Sequence, residues 1–208
     1  MSLNDLKIGW IGAGKMGGPM SRNLVAAGAE VIVFDPVAAN VEAVVAGGAQ
    51  AGASNQDLAQ RADIVVSMIP NDVVLRSIAL GDDGILVTMK SGATYLDMST
   101  VSPQASAEIS ADAEAKGIGY VRAPVSGSTV LAEAATLTIM ASGPKASYEK
   151  CVPLFEVLGA QNFYLGDSEQ ARYLKLVVNL LVGTTGAVLA EALTLGRKGG
   201  LDWQQMLY

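Results

Sequence analysis

The segment KIGWIGAGKMG, residues 7–17, carries the clearest indication of fold in this sequence. Its first five residues are mostly apolar and predict a β-strand, and three glycines then follow in the spacing GxGxxG, directly before a helical segment. Such glycines allow a tight turn, close approach of a pyrophosphate to the backbone, and close packing of helix on strand. The N-terminus of the helix also favours an anion. The pattern predicts a dinucleotide site, although a glycine-rich turn without a ligand looks the same. The predicted cofactor-binding loop is Gly12, Ala13, Gly14, Lys15, Met16 and Gly17.

An acidic residue after the next predicted strand supports the same site. Residues 30–34 predict a strand that ends before Asp35, which lies about 20 positions beyond the first glycine. A carboxylate there can accept hydrogen bonds from an adenosine ribose and would repel a 2′-phosphate, and residues 36–39 contain no arginine to bind one. The sequence therefore predicts NAD in preference to NADP. Taken alone, Asp35 is also compatible with an ordinary helix N-cap.

Short apolar runs alternate with helical segments along the first 165 residues. The runs are rich in Val, Ile, Leu and Met, which is typical of parallel strands covered on both faces. The predicted strands are 7–11, 30–34, 63–69, 94–98, 119–122, 137–141 and 162–165, and the predicted helices are 16–27, 38–46, 54–61, 73–80, 103–116 and 146–158. This alternation predicts an α/β fold with a doubly wound, Rossmann-type sheet, and an NAD-binding domain over residues 1–165. Ile69 and Pro70 end a strand where such a sheet presents loops to the cofactor, although Pro70 is equally a helix-start signal.

The pattern changes after Gly166. Residues 168–196 predict a helix about 40 Å long that is apolar on all sides, and Gly199 and Gly200 end it. A helix of this kind is buried all round, so we expect the rest of a second domain or a partner subunit to cover it. Residues 166–208 are thus predicted to be a long interdomain helix and the beginning of a truncated all-α domain, in a homodimer or larger homo-oligomer.

Neither the start of the chain nor this apolar helix predicts a membrane protein. The uncharged segment 176–190 is interrupted by Asn179, Thr184 and Thr185, and it is shorter than the ~20 apolar residues of a membrane span. The first residues include Asp5 and a glycine-broken apolar run, unlike a secretory signal. We therefore expect a cytoplasmic protein with no membrane partner.

Composition excludes several kinds of chemistry. The 208 residues contain 14 Lys and Arg against 20 Asp and Glu, a net charge of −6, which argues against nucleic acid as a partner. There is no histidine, so a Ser-His-Asp triad, an HExxH zinc helix and a histidine-dependent dehydrogenase are excluded. One cysteine, Cys151, allows neither an internal disulfide nor a multi-cysteine zinc site, and no metal is predicted. Proton chemistry would fall to Lys, Tyr, Asp or Glu.

Lys175 is the candidate for that proton chemistry. It is the only charged residue between Arg172 and Glu191, its neighbours are apolar, and Asn179 lies four positions on, on the same helical face. Apolar surroundings lower the pKa of a lysine and suit acid/base duty, although a snorkelling lysine near a helix start shows the same pattern.

Two clusters of small and polar residues, 97–103 and 123–128, follow predicted strands. The second can hold a carboxylate on its backbone N–H groups. Ordinary strand-to-helix turns have the same composition.

Together these segments resemble the β-hydroxyacid dehydrogenase family, which includes 3-hydroxyisobutyrate dehydrogenase, tartronate semialdehyde reductase and glyoxylate/succinic semialdehyde reductase. The family motifs GxGxMGxxM, DxSTxSP, APVSGG and LTIM, and a lysine with an asparagine four positions on, occur here in order. The matching residues are Gly12, Gly14, Met16, Gly17, Met20, Asp97, Ser99, Thr100, Ser102, Pro103, Ala123, Pro124, Val125, Ser126, Gly127, Leu137, Thr138, Ile139, Met140, Lys175 and Asn179.

The resemblance implies an NAD-dependent oxidoreductase that transfers a hydride between the nicotinamide and a small 3-hydroxy acid or its semialdehyde. It makes Lys175 the general acid/base, while the cofactor supplies the hydride chemistry. It also implies a helical C-terminal domain that closes the active site, and Thr100 as a further cofactor contact. The substrate-binding residues that it implies are Ser99, Ser126, Gly127, Ser128 and Asn179.

Three residues depart from the family pattern. Ser128 replaces a glycine, and serine would be strained there if the backbone needed a positive φ. Arg122 stands where an acidic residue is common, and we expect it to add positive charge near the carboxylate site. Ala135 replaces a glycine before the LTIM strand.

Two other functions stay open. An imine reductase of the same superfamily would usually change the catalytic lysine, and Lys175 is present. A non-catalytic dinucleotide-binding module would bind NAD without turnover. A 6-phosphogluconate dehydrogenase needs a histidine beside its lysine, and a short-chain dehydrogenase needs Tyr-x-x-x-Lys, and the sequence has neither.

Overall fold

The computed structural model describes residues 3–207, so residues 1, 2 and 208 at the outer ends of the predicted domains lie outside it. A short 3-10 helix at Leu3–Asp5 precedes the first strand. The strands are β1 (Lys7–Ile11), β2 (Glu30–Phe34), β3 (Gln50–Ala51), β4 (Ile64–Ser67), β5 (Thr94–Asp97), β6 (Gly119–Arg122), β7 (Val125–Ser126), β8 (Leu137–Ala141) and β9 (Gly159–Tyr164). The helices are α1 (Gly17–Ala26), α2 (Ala38–Val45), α3 (Asn55–Arg61), α4 (Asp72–Ala79), α5 (Ile85–Thr88), α6 (Pro103–Ala115), α7 (Thr129–Glu133), α8 (Lys145–Leu158), α9 (Gln170–Lys198) and α10 (Trp203–Leu207).

Six parallel strands form the main sheet, in the order β3-β2-β1-β4-β5-β6. At its centre, Gly9 of β1 lies opposite Ile32 on one side and Val65 on the other. The strand order reverses between β1 and β4, and ligands of doubly wound sheets bind in the crevice at such a point. The predicted Rossmann-type α/β fold is confirmed.

A smaller sheet in the order β7-β8-β9 adjoins the main one. Strand β7 runs antiparallel to β8, and β9 runs parallel to β8. An antiparallel bridge between Arg122 and Ser142 connects the end of β6 to the end of β8. The smaller sheet thereby adjoins the main sheet at the carboxyl end of its edge strand, β6.

Hydrophobic side chains fill both faces of the main sheet. On β1, Ile8 and Trp10 belong to a cluster that α1 and α8 cover, whereas Ile11 belongs to a second cluster that α3, α4 and α6 cover. Gly9 lies beneath α3, where a Cβ would overlap the Leu58 side chain. Because both faces are packed, the strands read as nearly continuous apolar runs.

Helix α1 also contacts elements much further along the chain. It packs against α7 and α8, and Asn23 Nδ2 donates a hydrogen bond to the Ala132 carbonyl oxygen over 2.8 Å, across 109 positions of sequence. The helix that follows the glycine loop is therefore held in part by residues from the smaller sheet's connections.

Most predicted elements are present, with ends shifted by a few residues. The strands predicted at 63–69 and 94–98 are shorter, and the strand predicted at 162–165 begins earlier, at Gly159. Six short elements were not predicted: the 3-10 helix at Leu3–Asp5, β3, α5, β7, α7 and α10. Each is too short to show a periodic pattern of apolar residues.

Helix α9 spans 29 residues, close to the predicted range. Among the described residues of this helix only Ala171 and Arg172 are buried, and apolar side chains such as Leu180 and Leu195 are 67% and 73% exposed. No part of residues 3–207 supplies the cover that the sequence led us to expect. By length and composition alone α9 could cross a membrane, but this is weak evidence because core helices of soluble proteins pass the same test.

Candidate functional site

The glycine loop joins β1 to α1 at the carboxyl edge of the sheet. Gly12 has a φ of +88°, and a Cβ there would overlap the Met68 carbonyl oxygen, so conformation and space both require glycine. A Cβ on Gly17 would overlap the Gly12 carbonyl oxygen, which accepts a hydrogen bond from Trp10 Nε1 over 2.9 Å. Gly14 has no neighbouring atom where its Cβ would be, so its backbone is open to approach.

The loop forms one wall of a groove of about 580 Å³, a volume typical of small-molecule and cofactor sites. The groove brings together predicted cofactor residues from four separate segments: Gly12, Gly14, Lys15, Met16, Gly17, Asp35, Ile69, Pro70 and Thr100. Ala13 belongs to the same loop but is not part of the lining. Other lining residues were not predicted from the sequence, namely Ile11, Phe34, Pro36, Asn55, Met68, Val74 and Ile78. Four of these are sequence neighbours of predicted residues and could have been inferred from the strand ends, whereas Asn55, Val74 and Ile78 lie on α3 and α4 and carried no signal.

Asp35 links the end of β2 to the glycine loop. Its Oδ2 accepts a hydrogen bond from the Ala13 N–H over 2.7 Å, while Oδ1 accepts from the Val37 N–H over 2.8 Å and from Asn40 Nδ2 over 3.0 Å. These bonds hold the carboxylate at the edge of the groove, and its remaining lone pairs can accept from hydroxyl groups. The Ala13 bond was not predicted from the sequence, and it ties Asp35 to the loop that would hold the phosphates.

Ser99 and Thr100 follow β5 but face different environments. Thr100 is exposed and lines the groove. Ser99 is fully buried, and its Oγ accepts a hydrogen bond from the Ile69 N–H over 2.9 Å and donates one to the Ser67 carbonyl oxygen over 3.4 Å. In this structure the Ser99 hydroxyl is enclosed and bonded to two backbone groups, and the substrate contact implied for it stays a prediction. Ser99 joins the loops after β4 and β5, and so holds Ile69 beside Thr100.

The segment 126–128 contains the expected small, accessible residues. Ser128 has a φ of −93°, which serine adopts freely, so the condition for strain at this position is not met and the expectation does not hold. The positive φ, +140°, falls on the preceding residue, Gly127. Ala135 is the one non-glycine residue among 3–207 with a positive φ, +56°, and it is another position where the family has a glycine.

The expectation that Arg122 adds positive charge near a carboxylate site is also wrong. Arg122 is buried at the end of β6 and forms an ion pair with Glu169, just before α9. Its guanidinium lies over the Tyr120 ring, 4.6 Å from the centroid. Its charge is therefore balanced by Glu169.

Lys175 is half-buried near the start of α9, and loss of water around the side chain lowers the pKa of its ammonium group below the usual range for lysine. Asn179, one turn on, is exposed. The residue after the lysine, Leu176, lines a second cavity together with Pro70 and Thr100, and both of these also line the groove. The start of α9 therefore lies beside the Thr100 end of the groove.

Two tyrosines that could also take part in proton chemistry do not lie at the groove. Tyr95 and Tyr120 are buried in the second hydrophobic cluster. Burial, reinforced by the Asp97 carboxylate, raises the pKa of Tyr120 to about 12 and also raises the pKa of Tyr95 well above its usual value. Both phenols therefore stay protonated near neutral pH.

A parallel sheet of this order, with a GxGxxG loop after its first strand and a carboxylate after its second, defines the NAD-binding domain of an oxidoreductase. Residues 7–166 match the family described as the NAD binding domain of 6-phosphogluconate dehydrogenase. The chain is 45% identical to 2-(hydroxymethyl)glutarate dehydrogenase of Eubacterium barkeri over 202 residues, which are 97% of this chain and 67% of that protein. It belongs to the β-hydroxyacid dehydrogenase family.

Two further comparisons agree with this membership. An NAD-dependent L-serine dehydrogenase of Pseudomonas aeruginosa is 39% identical over 196 residues, which cover 94% of this chain and 66% of that protein. The solved structure of 3-hydroxyisobutyrate dehydrogenase from Mycobacterium tuberculosis with L-serine has a TM-score of 0.91 at 31% identity, covering 99% of this chain and 69% of that one. The chain thus spans about two thirds of the length of these relatives.

Imine reductases share the fold as well. One from Myxococcus stipitatus has a TM-score of 0.89 at 22% identity, covering 96% of this chain and 68% of that one. A likeness at this identity shows the fold alone.

Proposed function

We propose that the protein transfers a hydride between NAD and a small 3-hydroxy acid or the matching semialdehyde, with Lys175 as the general acid/base. The observation that carries this proposal is a half-buried lysine near the start of α9, whose next residue, Leu176, lines a cavity with Thr100 at one end of the groove. The substrate class is supported by the names of the relatives, since L-serine and 2-(hydroxymethyl)glutarate are both 3-hydroxy acids.

The residues of the groove fit NAD. The glycine loop leaves space at Gly14 where a side chain would obstruct a pyrophosphate, and the N-terminus of α1 lies behind it. Asp35 would accept hydrogen bonds from the adenosine ribose, and its charge favours NAD over NADP. Ile69, Pro70 and Thr100 would lie along the nicotinamide half. When bound, NAD⁺ accepts the hydride from the substrate carbon.

The chain's own side chains would supply the proton transfer and the substrate contacts. In the oxidative direction the neutral Lys175 amine takes the hydroxyl proton, and in the reductive direction its ammonium group returns one. Burial lowers the pKa of Lys175 and so increases the fraction of neutral amine. Asn179 would hold the substrate, and the backbone of Ser126, Gly127 and Ser128 would bind its carboxylate, since these residues are small and accessible.

The proposal extends to the organisation of the whole protein. The domain over residues 1–165 would bind the cofactor. Residues from 166 on would belong to a helical domain, with α9 as its first helix. The exposed apolar surface of α9 supports a cover by further protein, which we assign to a homodimer or larger homo-oligomer. A cytoplasmic location fits the metabolic role of such enzymes.

Formation of NADH with a panel of 3-hydroxy acids, including L-serine, 3-hydroxyisobutyrate and 2-(hydroxymethyl)glutarate, tests the function. We expect turnover by the wild type and a loss of roughly 10²- to 10⁴-fold in kcat for Lys175→Ala, with NADH affinity nearly unchanged. Lys198→Ala removes an exposed lysine at the other end of the same helix and serves as the matched control.

Three results would contradict parts of this proposal. Normal turnover by Lys175→Ala would overturn the role of the lysine. Tight NAD binding without turnover of any substrate would indicate a non-catalytic module. A preference for NADP⁺ over NAD⁺ would overturn the role given to Asp35.

A further inference from the structure

We propose that Arg172 is a positioning residue for Lys175: its buried guanidinium clamps the first turn of α9 to the carboxyl end of β5 and to Tyr120 of β6, and so fixes Lys175 relative to Thr100. This inference rests on the proposed function, because it takes Lys175 to be the group that transfers the proton.

The guanidinium of Arg172 has four partners, although it is one of the most deeply buried side chains in the described part of the chain. Nη2 forms an ion pair with Asp97 Oδ2 and also donates to the Tyr120 hydroxyl over 3.2 Å. Nη1 donates to the Ser99 carbonyl oxygen over 2.6 Å, and Nε donates to Ser106 Oγ over 3.2 Å. These contacts join α9 to β5, β6, α6 and the loop that carries Thr100.

The Asp97 carboxylate also joins this hydrogen-bond network to β4. Its Oδ1 accepts hydrogen bonds from Ser67 Oγ over 2.8 Å and from the Ser99 N–H over 3.1 Å. Ser99 Oγ in turn holds the Ile69 N–H. A continuous set of buried hydrogen bonds therefore runs from α9 to both loops that line the Thr100 end of the groove.

The placement of Arg172 along α9 makes these contacts important for Lys175. Residues three positions apart share a helix face, so Lys175 lies one turn above the buried guanidinium. Because α9 buries only Ala171 and Arg172 within the described chain, its first turn sets the direction of the whole helix. The Ala171 N–H adds a single bond to Ser142 Oγ over 3.2 Å, and the pair of Arg122 with Glu169 flanks the same turn.

A buried ion pair is poor evidence of stability, because the loss of hydration offsets much of the attraction between the charges. It does fix one arrangement of the groups that it joins, since a planar guanidinium fork accepts few alternative geometries. A displacement of about 1 Å in a catalytic group costs roughly 100-fold in rate. The network is therefore suited to holding the amine of Lys175 at a set distance from the reacting atoms.

Kinetics of Arg172→Lys test the inference, because lysine keeps the charge but cannot make the forked contacts. We expect kcat to fall roughly 100-fold while KM and the dissociation constant of NADH change less than about 3-fold. The matched control is Leu154→Ala, which creates a cavity between α8 and the sheet, away from the clamp. It should lower the unfolding temperature without changing kcat per folded molecule. If Arg172→Lys does not fold, Ser106→Ala removes the Nε contact, together with the 3.4 Å contact between Ser106 Oγ and the Tyr120 hydroxyl, and should lower kcat about 10-fold.

A distance measurement gives a result that does not depend on turnover. Spin labels at Gln104→Cys on α6 and Lys198→Cys on α9 report the direction of the helix, and Cys151 is buried and stays unlabelled. We expect a narrow distance distribution in the wild type and in Leu154→Ala, and a broad one in Arg172→Lys or Ser106→Ala. An unchanged width, or a kcat that follows the control, would overturn the clamp. A wild type without turnover would instead refute the proposed function, and the distances would still decide the clamp.

Discussion

Ala135 occupies the left-handed region of backbone space, with a φ of +56°, between α7 and β8. A residue that carries a Cβ is strained by about 1–2 kcal/mol in this region of the folded backbone. Glycine avoids that strain, but the greater freedom that it gives the unfolded chain lowers the free energy of unfolding by about 0.4–1 kcal/mol. We therefore expect Ala135→Gly to raise the free energy of unfolding by about 0.5–1 kcal/mol in urea titrations. The neighbour Ala134 has a φ of −77°, so Ala134→Gly should lower it by about 0.5–1 kcal/mol. Equal changes in both variants would show that Ala135 is not strained.

Lys175 should give the reaction a characteristic pH dependence. A lysine must be neutral to accept a proton, so kcat/KM for oxidation should rise with pH through the pKa of Lys175, and kcat/KM for reduction should fall over the same range. Because burial lowers this pKa, the midpoint should lie below the value of about 10.4 for a free lysine. Initial rates in both directions measure it. A midpoint at or above the free value would contradict a pKa lowered by burial.

Ser102 joins the start of α4 to the start of α6. Its Oγ accepts a hydrogen bond from the Ala105 N–H over 3.1 Å as the N-cap of α6, and donates one to Asp72 Oδ2 at the start of α4 over 2.5 Å. The hydrogen bonds from the Ser102 side chain and N–H lower the pKa of Asp72. The two helices are thus held together on the side of the sheet opposite α1.

Ser102→Ala should lower the free energy of unfolding by about 1–2 kcal/mol at pH 7, through loss of the cap and of the bond to Asp72. Since folding lowers the pKa of Asp72, its contribution to stability is present above the unfolded pKa of about 3.9 and is lost as the pH falls through the folded value. The difference between wild type and variant should therefore shrink in urea titrations below about pH 4.

Ser54→Ala is the matched control for that experiment. Ser54 caps α3 by accepting from the Asp57 N–H over 3.1 Å, and its loss should cost about 1 kcal/mol with much less change in acid. If both variants respond to pH alike, the lowered pKa of Asp72 does not stabilise the fold.

The longer elements could be predicted because their patterns are local. The bounds of β1 and β2 follow from short apolar runs between polar or glycine residues, and GxGxxG located the groove. The partners of Arg172 could not be predicted, since they lie 52 to 75 positions away and only the folded sheet brings them together. The same limit applies to the adjacent residues Ser99 and Thr100. Both are small hydroxyl residues, so the sequence does not show which side chain faces the core and which faces the groove.

The exposed apolar surface of α9 predicts that copies of the protein associate with one another. We expect the protein to sediment as a dimer or larger species. The side chains of Leu180 and Val188 are each 67% exposed on α9, and a charge at either position would be buried in an interface. The double variant Leu180→Glu with Val188→Glu should therefore weaken self-association at least about 10-fold. Val87→Glu, at an exposed position on α5, is the control and should sediment as the wild type does. A wild-type monomer at high concentration would contradict the expectation.

The hydrogen bond between Asn23 and Ala132 has a consequence for protein synthesis. A ribosome adds about 5–20 residues per second, so the 109 positions that separate these residues take roughly 5–20 seconds to translate. During that interval α1 has neither α7 nor α8 to pack against, and the glycine loop at its start has no complete support. We therefore expect a nascent chain to acquire its nucleotide affinity only after the ribosome has passed the last residue of α8, Leu158, so cofactor binding during translation would report that stage of synthesis.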